Sequence, residues 1–84
     1  MQKFITKEYK IKFQNGFHSR EAIQFINYMR ANNVKLKMYH KDILLNHTSL
    51  ISILASSILE GDTVKFELNE DDKNLIDFLN SFFS

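Results

Sequence analysis

The sequence predicts an α+β fold: an open-faced β-sandwich, a four-stranded antiparallel sheet with three helices on one face, in the order β-α-β-β-α-β-α. Three observations carry that reading. Four short segments alternate apolar and polar residues, the period of a strand with one buried face. Three others repeat apolar residues with the period of a helix. Each helix has a single apolar stripe, so all three must cover the one buried face of the sheet. At 84 residues the chain has room for one domain, taken as residues 1–84.

Tyr9, Ile11 and Phe13 alternate with Lys10 and Lys12 as the first strand, which Ile5 extends backwards. Gln14-Asn15-Gly16 breaks the pattern. From Ser19 to about Asn32, Ala22, Ile23, Phe25, Ile26 and Met29 form a helical stripe, with Ser19 as N-cap or first-turn residue and Asn32-Asn33 as the stop. Val34, Leu36 and Met38 alternate with Lys35, Lys37 and Tyr39 as the second strand. His40-Lys41-Asp42 reads as a hairpin turn and Ile43-Leu44-Leu45 as the third strand. Asn46 to Ser49 offer capping oxygens to a helix over Leu50–Leu59, which Glu60-Gly61-Asp62 ends. Val64, Phe66 and Leu68 make the fourth strand. The acidic start Asn69–Asp72 suits the N-terminus of a last helix carrying Leu75, Ile76, Leu79, Phe82 and Phe83.

Composition narrows the function classes. With 44% hydrophobic and 25% charged residues the chain is neither disordered nor collagen-like. No apolar run reaches the roughly 18 residues of a membrane span, and no basic-then-apolar leader opens the chain, so a cytoplasmic protein without a membrane partner is expected. Zero cysteines exclude disulfides and thiolate ligands. A net charge of +1 gives no bulk signal for nucleic acid. His40 and His47 fit no zinc spacing, and no metal or cofactor is expected. Lys7 to Lys12, Lys35 and Lys37 read as the solvated face of the sheet, where Tyr39 is nearly alone as a stacking aromatic.

The segment Asn15-Gly16-Phe17-His18-Ser19-Arg20-Glu21-Ala22 holds the chemistry. It places a histidine at the start of a helix, where unpaired N–H groups and the positive end of the dipole hold an anion. Phosphoryl transfer needs a nucleophile with charge stabilisation around the equatorial oxygens. His18 supplies the first; the amides of Ser19 and Arg20 and the forked Arg20 guanidinium supply the second. The plain alternative is a surface histidine after a glycine turn.

The order of elements and the run Gly16-Phe17-His18-Ser19-Arg20 resemble HPr, the histidine-containing phosphocarrier family of the bacterial sugar phosphotransferase system. That family's signature reads Gly, aliphatic, His, small, Arg, Pro, Ala; every place but the proline is met once Phe17 stands for the aliphatic residue. Ser49 falls where Gram-positive members carry a regulatory serine, and Gly61 matches the glycine before the last strand. The similarity spans nearly the whole chain, with one deletion before the last helix.

The resemblance implies that His18 takes a phosphoryl group from enzyme I, at the expense of phosphoenolpyruvate, and passes it to an enzyme IIA. Arg20 would steady the phosphohistidine, and Ser49 would be the target of an ATP-dependent HPr kinase. Such a protein is a monomeric, stoichiometric carrier rather than a turnover enzyme. Its docking face would include Phe17, Ser19, Arg20, Ile23, Asn27, Leu50, Ile51 and Leu54. Whether the apolar ones are exposed for docking or fill the core stays open at this level.

Three departures qualify the likeness. Glu21 replaces the signature proline; it suits the helix dipole but competes with a dianionic phosphate for the same amides, at about 1 kcal/mol. Pairing of Glu21 with Arg20 or His18 is the other outcome. Ser52, Ser56 and Ser57 stand where the family often has glycine or lysine. No lysine flanks Ser49, and Thr48 beside it is a second candidate phosphoacceptor. Some family members have lost the histidine and keep only the serine function, so the alternative is a regulatory paralogue that binds a kinase or transcription regulator through Ser49.

Overall fold

A computed structural model describes residues 3–84. Seven elements follow the expected order: β1 (Phe4–Lys10), α1 (Ser19–Ala31), β2 (Lys37–His40), β3 (Ile43–Leu45), α2 (Leu50–Ala55), β4 (Thr63–Asn69) and α3 (Lys73–Phe82). The strands form one antiparallel sheet in the order β1-β4-β2-β3. Val64, Phe66 and Leu68 of the central strand β4 turn inward, in register with Tyr9, Lys7 and Ile5 on β1. The outward row pairs opposite charges: Glu8 lies across from Lys65, and Lys37 across from Glu67. The Lys65 ammonium also sits 5.2 Å from the centre of the Tyr39 ring. Lys7 is a correction to the solvated lysine face. It lies on the inward row of an edge strand, where a charge discourages further strand pairing.

Aromatic rings fill the space under the sheet. Phe25 of α1 is fully buried and meets Phe17, Phe66, Phe78, Phe82 and Phe83 at centroid distances between 5.6 and 6.3 Å. Phe83, just past α3, stacks on Tyr9 of β1 at 5.2 Å. The C-terminal end of α3 is thus held to α1 and to both strands β1 and β4. Each large buried side chain contributes about 1.5–3 kcal/mol, and without disulfides this burial is what offsets chain entropy.

Three boundaries differ from the sequence reading. β1 stops at Lys10, before Ile11 and Phe13, because a bulge interrupts the ladder. The Ile11 N–H donates to the Asp62 carbonyl at 2.7 Å and the Gly61 N–H to the Ile11 carbonyl at 2.8 Å, with Gly61 at φ +91°. Gly61 therefore makes a bulge and does not end a helix. α2 ends instead at Ala55: Ser57 takes a left-handed φ of 52°, and Ile58 drops into the core. β2 begins at Lys37 rather than Val34, whose N–H closes the end of α1 on the Met29 carbonyl.

His40 is also relocated. It is the last residue of β2 and only 2% exposed, and the turn is Lys41-Asp42 alone. Both turn residues have positive φ, 52° and 64°, as a two-residue type I′ hairpin demands. Neither is glycine, so the turn stores strain. Asp42→Gly is expected to raise Tm by about 4 °C in a circular-dichroism melt. A fall in Tm would show that the aspartate contributes more than its backbone costs.

Candidate functional site

The site begins with a backbone constraint at Gly16. Phe13 to Gly16 form a β-turn closed by the Gly16 N–H on the Phe13 carbonyl at 2.9 Å, with Asn15 at φ 70° in the position where a type II turn requires positive φ. Gly16 itself has φ +88°, and a Cβ there would lie 2.4 Å from the carbonyl oxygen of Ile58. Glycine is demanded twice, by conformation and by space. The same Ile58 carbonyl accepts the Phe17 N–H at 2.9 Å. The Phe17 ring, 3% exposed, packs on Phe13 and Phe25. Phe17 therefore anchors the segment in the core, and its side chain is not part of a surface.

With Phe17 held, His18 becomes the N-cap of α1, extended at φ −89° and ψ −175°. Its carbonyl accepts the Ala22 N–H at 2.8 Å, the first bond of the helix. The amides of Ser19, Arg20 and Glu21 precede any helical acceptor. A usual N-cap side chain would fold back onto them; the His18 imidazole makes no such bond. The side chains of His18, Ser19 and Arg20 are exposed. An anion carried on the ring would meet free N–H groups, the positive end of a 13-residue helix and a guanidinium. Glu21 is half-buried and, among the described residues, forms no ion pair with His18 or Arg20. Its charge is therefore left to act on an incoming anion.

The other expected residues lie on α1 and α2, which pack against each other. Ile23 is 46% and Ile51 79% exposed, Asn27 is exposed, and Leu50 and Leu54 are half-buried. Ser49 is the N-cap of α2, its Oγ accepting the Ser52 N–H at 3.2 Å. The neighbouring Thr48 hydroxyl donates to Asn46 Oδ1 at 2.8 Å, and its carbonyl accepts from Arg30 Nη2 at 2.7 Å. Asp72 caps α3 by accepting the Leu75 N–H, the simple role its place suggests. The half-buried His47 donates from Nε2 to the Val34 carbonyl at 2.8 Å. Among the described residues no three acidic, histidine or cysteine side chains gather as a metal would need.

The sequence reading missed a hydrogen-bonded trio built on the buried His40, with Ser56 and Asp62 half-buried. His40 Nε2 lies 2.9 Å from Asp62 Oδ2, and His40 Nδ1 lies 2.6 Å from Ser56 Oγ. Asp62 Oδ2 also accepts the Leu59 N–H at 3.0 Å. No linear signal joins these residues; only the placement of β2 beside the α2–β4 connection does.

A family model described as the PTS HPr component phosphorylation site matches residues 5–84. The chain therefore belongs to the HPr family, the phosphocarriers of the phosphotransferase system. Among solved structures, the phosphocarrier protein HPr from Bacillus anthracis superposes with a TM-score of 0.77 at 18% identity, over 96% of this chain and 98% of that one. A mycoplasma histidine-containing phosphocarrier protein gives 0.73 at 13% identity, over 94% and 97%. HPr-C-His from Thermoanaerobacter tengcongensis gives 0.69 at 26% identity, over 96% and 94%. No curated protein matches the chain. The open four-stranded sheet with three helices is thus the HPr fold, and no described helix is long and apolar enough to cross a membrane.

The Asp62 carboxyl is held below its ordinary value, first by the Leu59 N–H and then by the His40 side chain. A group depressed on folding stabilises the protein above its unfolded pKa and loses that contribution as pH falls through the folded one. Urea unfolding at about pH 5 and about pH 3 should therefore show a smaller acid loss of stability in Asp62→Asn than in the parent protein. Equal losses in both proteins would remove Asp62 from the account.

Proposed function

We propose that this chain is a phosphoryl carrier of the phosphoenolpyruvate-dependent sugar phosphotransferase system, taking the group from enzyme I on His18 and passing it to an enzyme IIA. The observation that carries the reading is an exposed imidazole at the N-cap of α1, unbonded to its own helix, beside open first-turn amides and Arg20. A ring nitrogen attacks the donor's phosphorus; a P–N bond forms as the bond to the donor breaks, and the reverse delivers the group to the acceptor. The amides and guanidinium stabilise the equatorial oxygens throughout. Ile23, Asn27, Leu50, Ile51 and Leu54 form the docking face for both partners, around the histidine.

Ser49 is the regulatory phosphosite in this reading, the target of an HPr kinase. Its Oγ acts as an acceptor toward Ser52, a role that phosphate oxygens can keep. The Thr48 hydroxyl acts as a donor toward Asn46, a role that phosphorylation would abolish. A phosphate on Ser49, at the edge of the docking face, repels an acidic partner and switches transfer off.

Intact mass after incubation with phosphoenolpyruvate and enzyme I tests the carrier. One phosphoryl group is expected, lost on brief acid treatment and absent in His18→Ala. No uptake, beside an HPr control that phosphorylates fully, would overturn the reading. An acid-stable group added by HPr kinase from ATP, and lost in Ser49→Ala, would then favour a purely regulatory protein. Because Glu21 is unpaired with its neighbours, Glu21→Pro should raise the initial rate of His18 phosphorylation about fivefold. An unchanged rate would dispose of the repulsion.

A further inference from the structure

The chain Ser56–His40–Asp62 matches the order nucleophile, base, orienting carboxylate, but its setting argues against chemistry. Ser56 is the C-cap of α2; its N–H is spent on the Ile53 carbonyl, and the Ser57 N–H takes that of Leu54. The end of a helix offers carbonyl oxygens and partial negative charge, the reverse of what a developing oxyanion requires. Nor is the trio built to respond to protonation. With Nε2–H donating to the carboxylate, Nδ1 accepts the Ser56 hydroxyl proton. A second ring proton would reverse that bond and keep both contacts. What the trio does in either state is hold two points of the chain together.

Those two points bracket the loop from Ser56 to Asp62. His40 leaves the sheet at the end of β2 and grips the loop at both ends, and Asp62 ties the loop to itself through Leu59. Within the loop is Ile58, whose carbonyl receives the Phe17 N–H and against whose oxygen Gly16 is packed. His18 follows directly. We infer that His40 is a positioning residue for the phosphoryl-transfer site: by clamping Ser56 and Asp62 it sets the Ile58 carbonyl, and through it the backbone that presents His18. The effect on transfer rests on the carrier reading above, whereas the clamp on the loop does not.

Two readouts keep these claims apart. The first is hydrogen exchange of the Phe17 amide in the full chain, followed by NMR. In His40→Leu, which fills the site without hydrogen bonds, exchange of this amide is expected to rise about tenfold over that of the β1–β4 ladder amides. His40→Gln offers a donor to Asp62 and an acceptor to Ser56 and should restore protection to within about threefold. Ser56→Ala cuts one arm at a half-buried position and should give an intermediate rise. The second readout is the rate of His18 phosphorylation by enzyme I, expected to fall about tenfold in His40→Leu and to recover in His40→Gln.

Unchanged Phe17 protection in both His40→Leu and Ser56→Ala overturns the inference. So does a uniform rise across all amides, which would make His40 a support of the whole fold, and so does failure of His40→Gln to restore protection. Loss of Phe17 protection without any change in the phosphorylation rate would overturn the positioning role. If the parent protein takes up no phosphoryl group, the carrier reading fails, and the exchange data still decide the clamp.

Discussion

Everything at the N-terminus of α1 depends on how closely Gly16 approaches the carbonyl of Ile58. A single oxygen atom there accepts the Phe17 N–H and occupies the space a side chain at position 16 would need. That contact joins the turn before α1 to the loop after α2, two segments far apart in the chain. It leaves His18 with an extended backbone and no side-chain bond to its own helix. An N-terminus normally closes on its own cap. Here it is left open, and the cost in helix stability is met by the burial of Phe17 beneath it.

The aromatic core supports this arrangement from below. Phe17 lies against Phe25, and Phe25 meets Phe66 of the sheet and the C-terminal rings Phe78, Phe82 and Phe83. The residue preceding the histidine is thus tied to β4 and α3 within one packed cluster. Close-packed interiors transmit displacement rather than absorbing it, so the position of His18 is coupled to the last residues of the chain. The α1–α2 face above the core is different in kind. Ile23 and Ile51 remain exposed there, a placement that core packing alone does not account for.

Much of this was legible from local pattern. The alternation of Val64, Phe66 and Leu68 and the stripe of Leu75, Leu79 and Phe83 report periods of two and of 3.6, and tertiary packing kept both. The segment Gly16-Phe17-His18-Ser19-Arg20 was legible because its helix start depends on neighbouring residues. The failures share a different cause. Ser57 adopts a left-handed φ that serine does not advertise, so α2 ends earlier than its apolar run. Gly61 is a glycine at a turn by any local rule, yet its bond goes to Ile11, across the sheet. His40 looked like a turn residue because its partners, Ser56 and Asp62, lie 16 and 22 residues away.

By itself, the sequence determined the order of elements, the inward row of β4 and the histidine at a helix start, since each follows from contacts within a few residues along the chain. Tertiary structure alone decided that Phe17 is buried while Ile51 is exposed, that Glu21 stands apart from Arg20, and that a buried histidine grips the loop beneath the site. These depend on which distant segments meet, and a linear pattern carries no record of such meetings when each involves a single hydrogen bond or a single close approach.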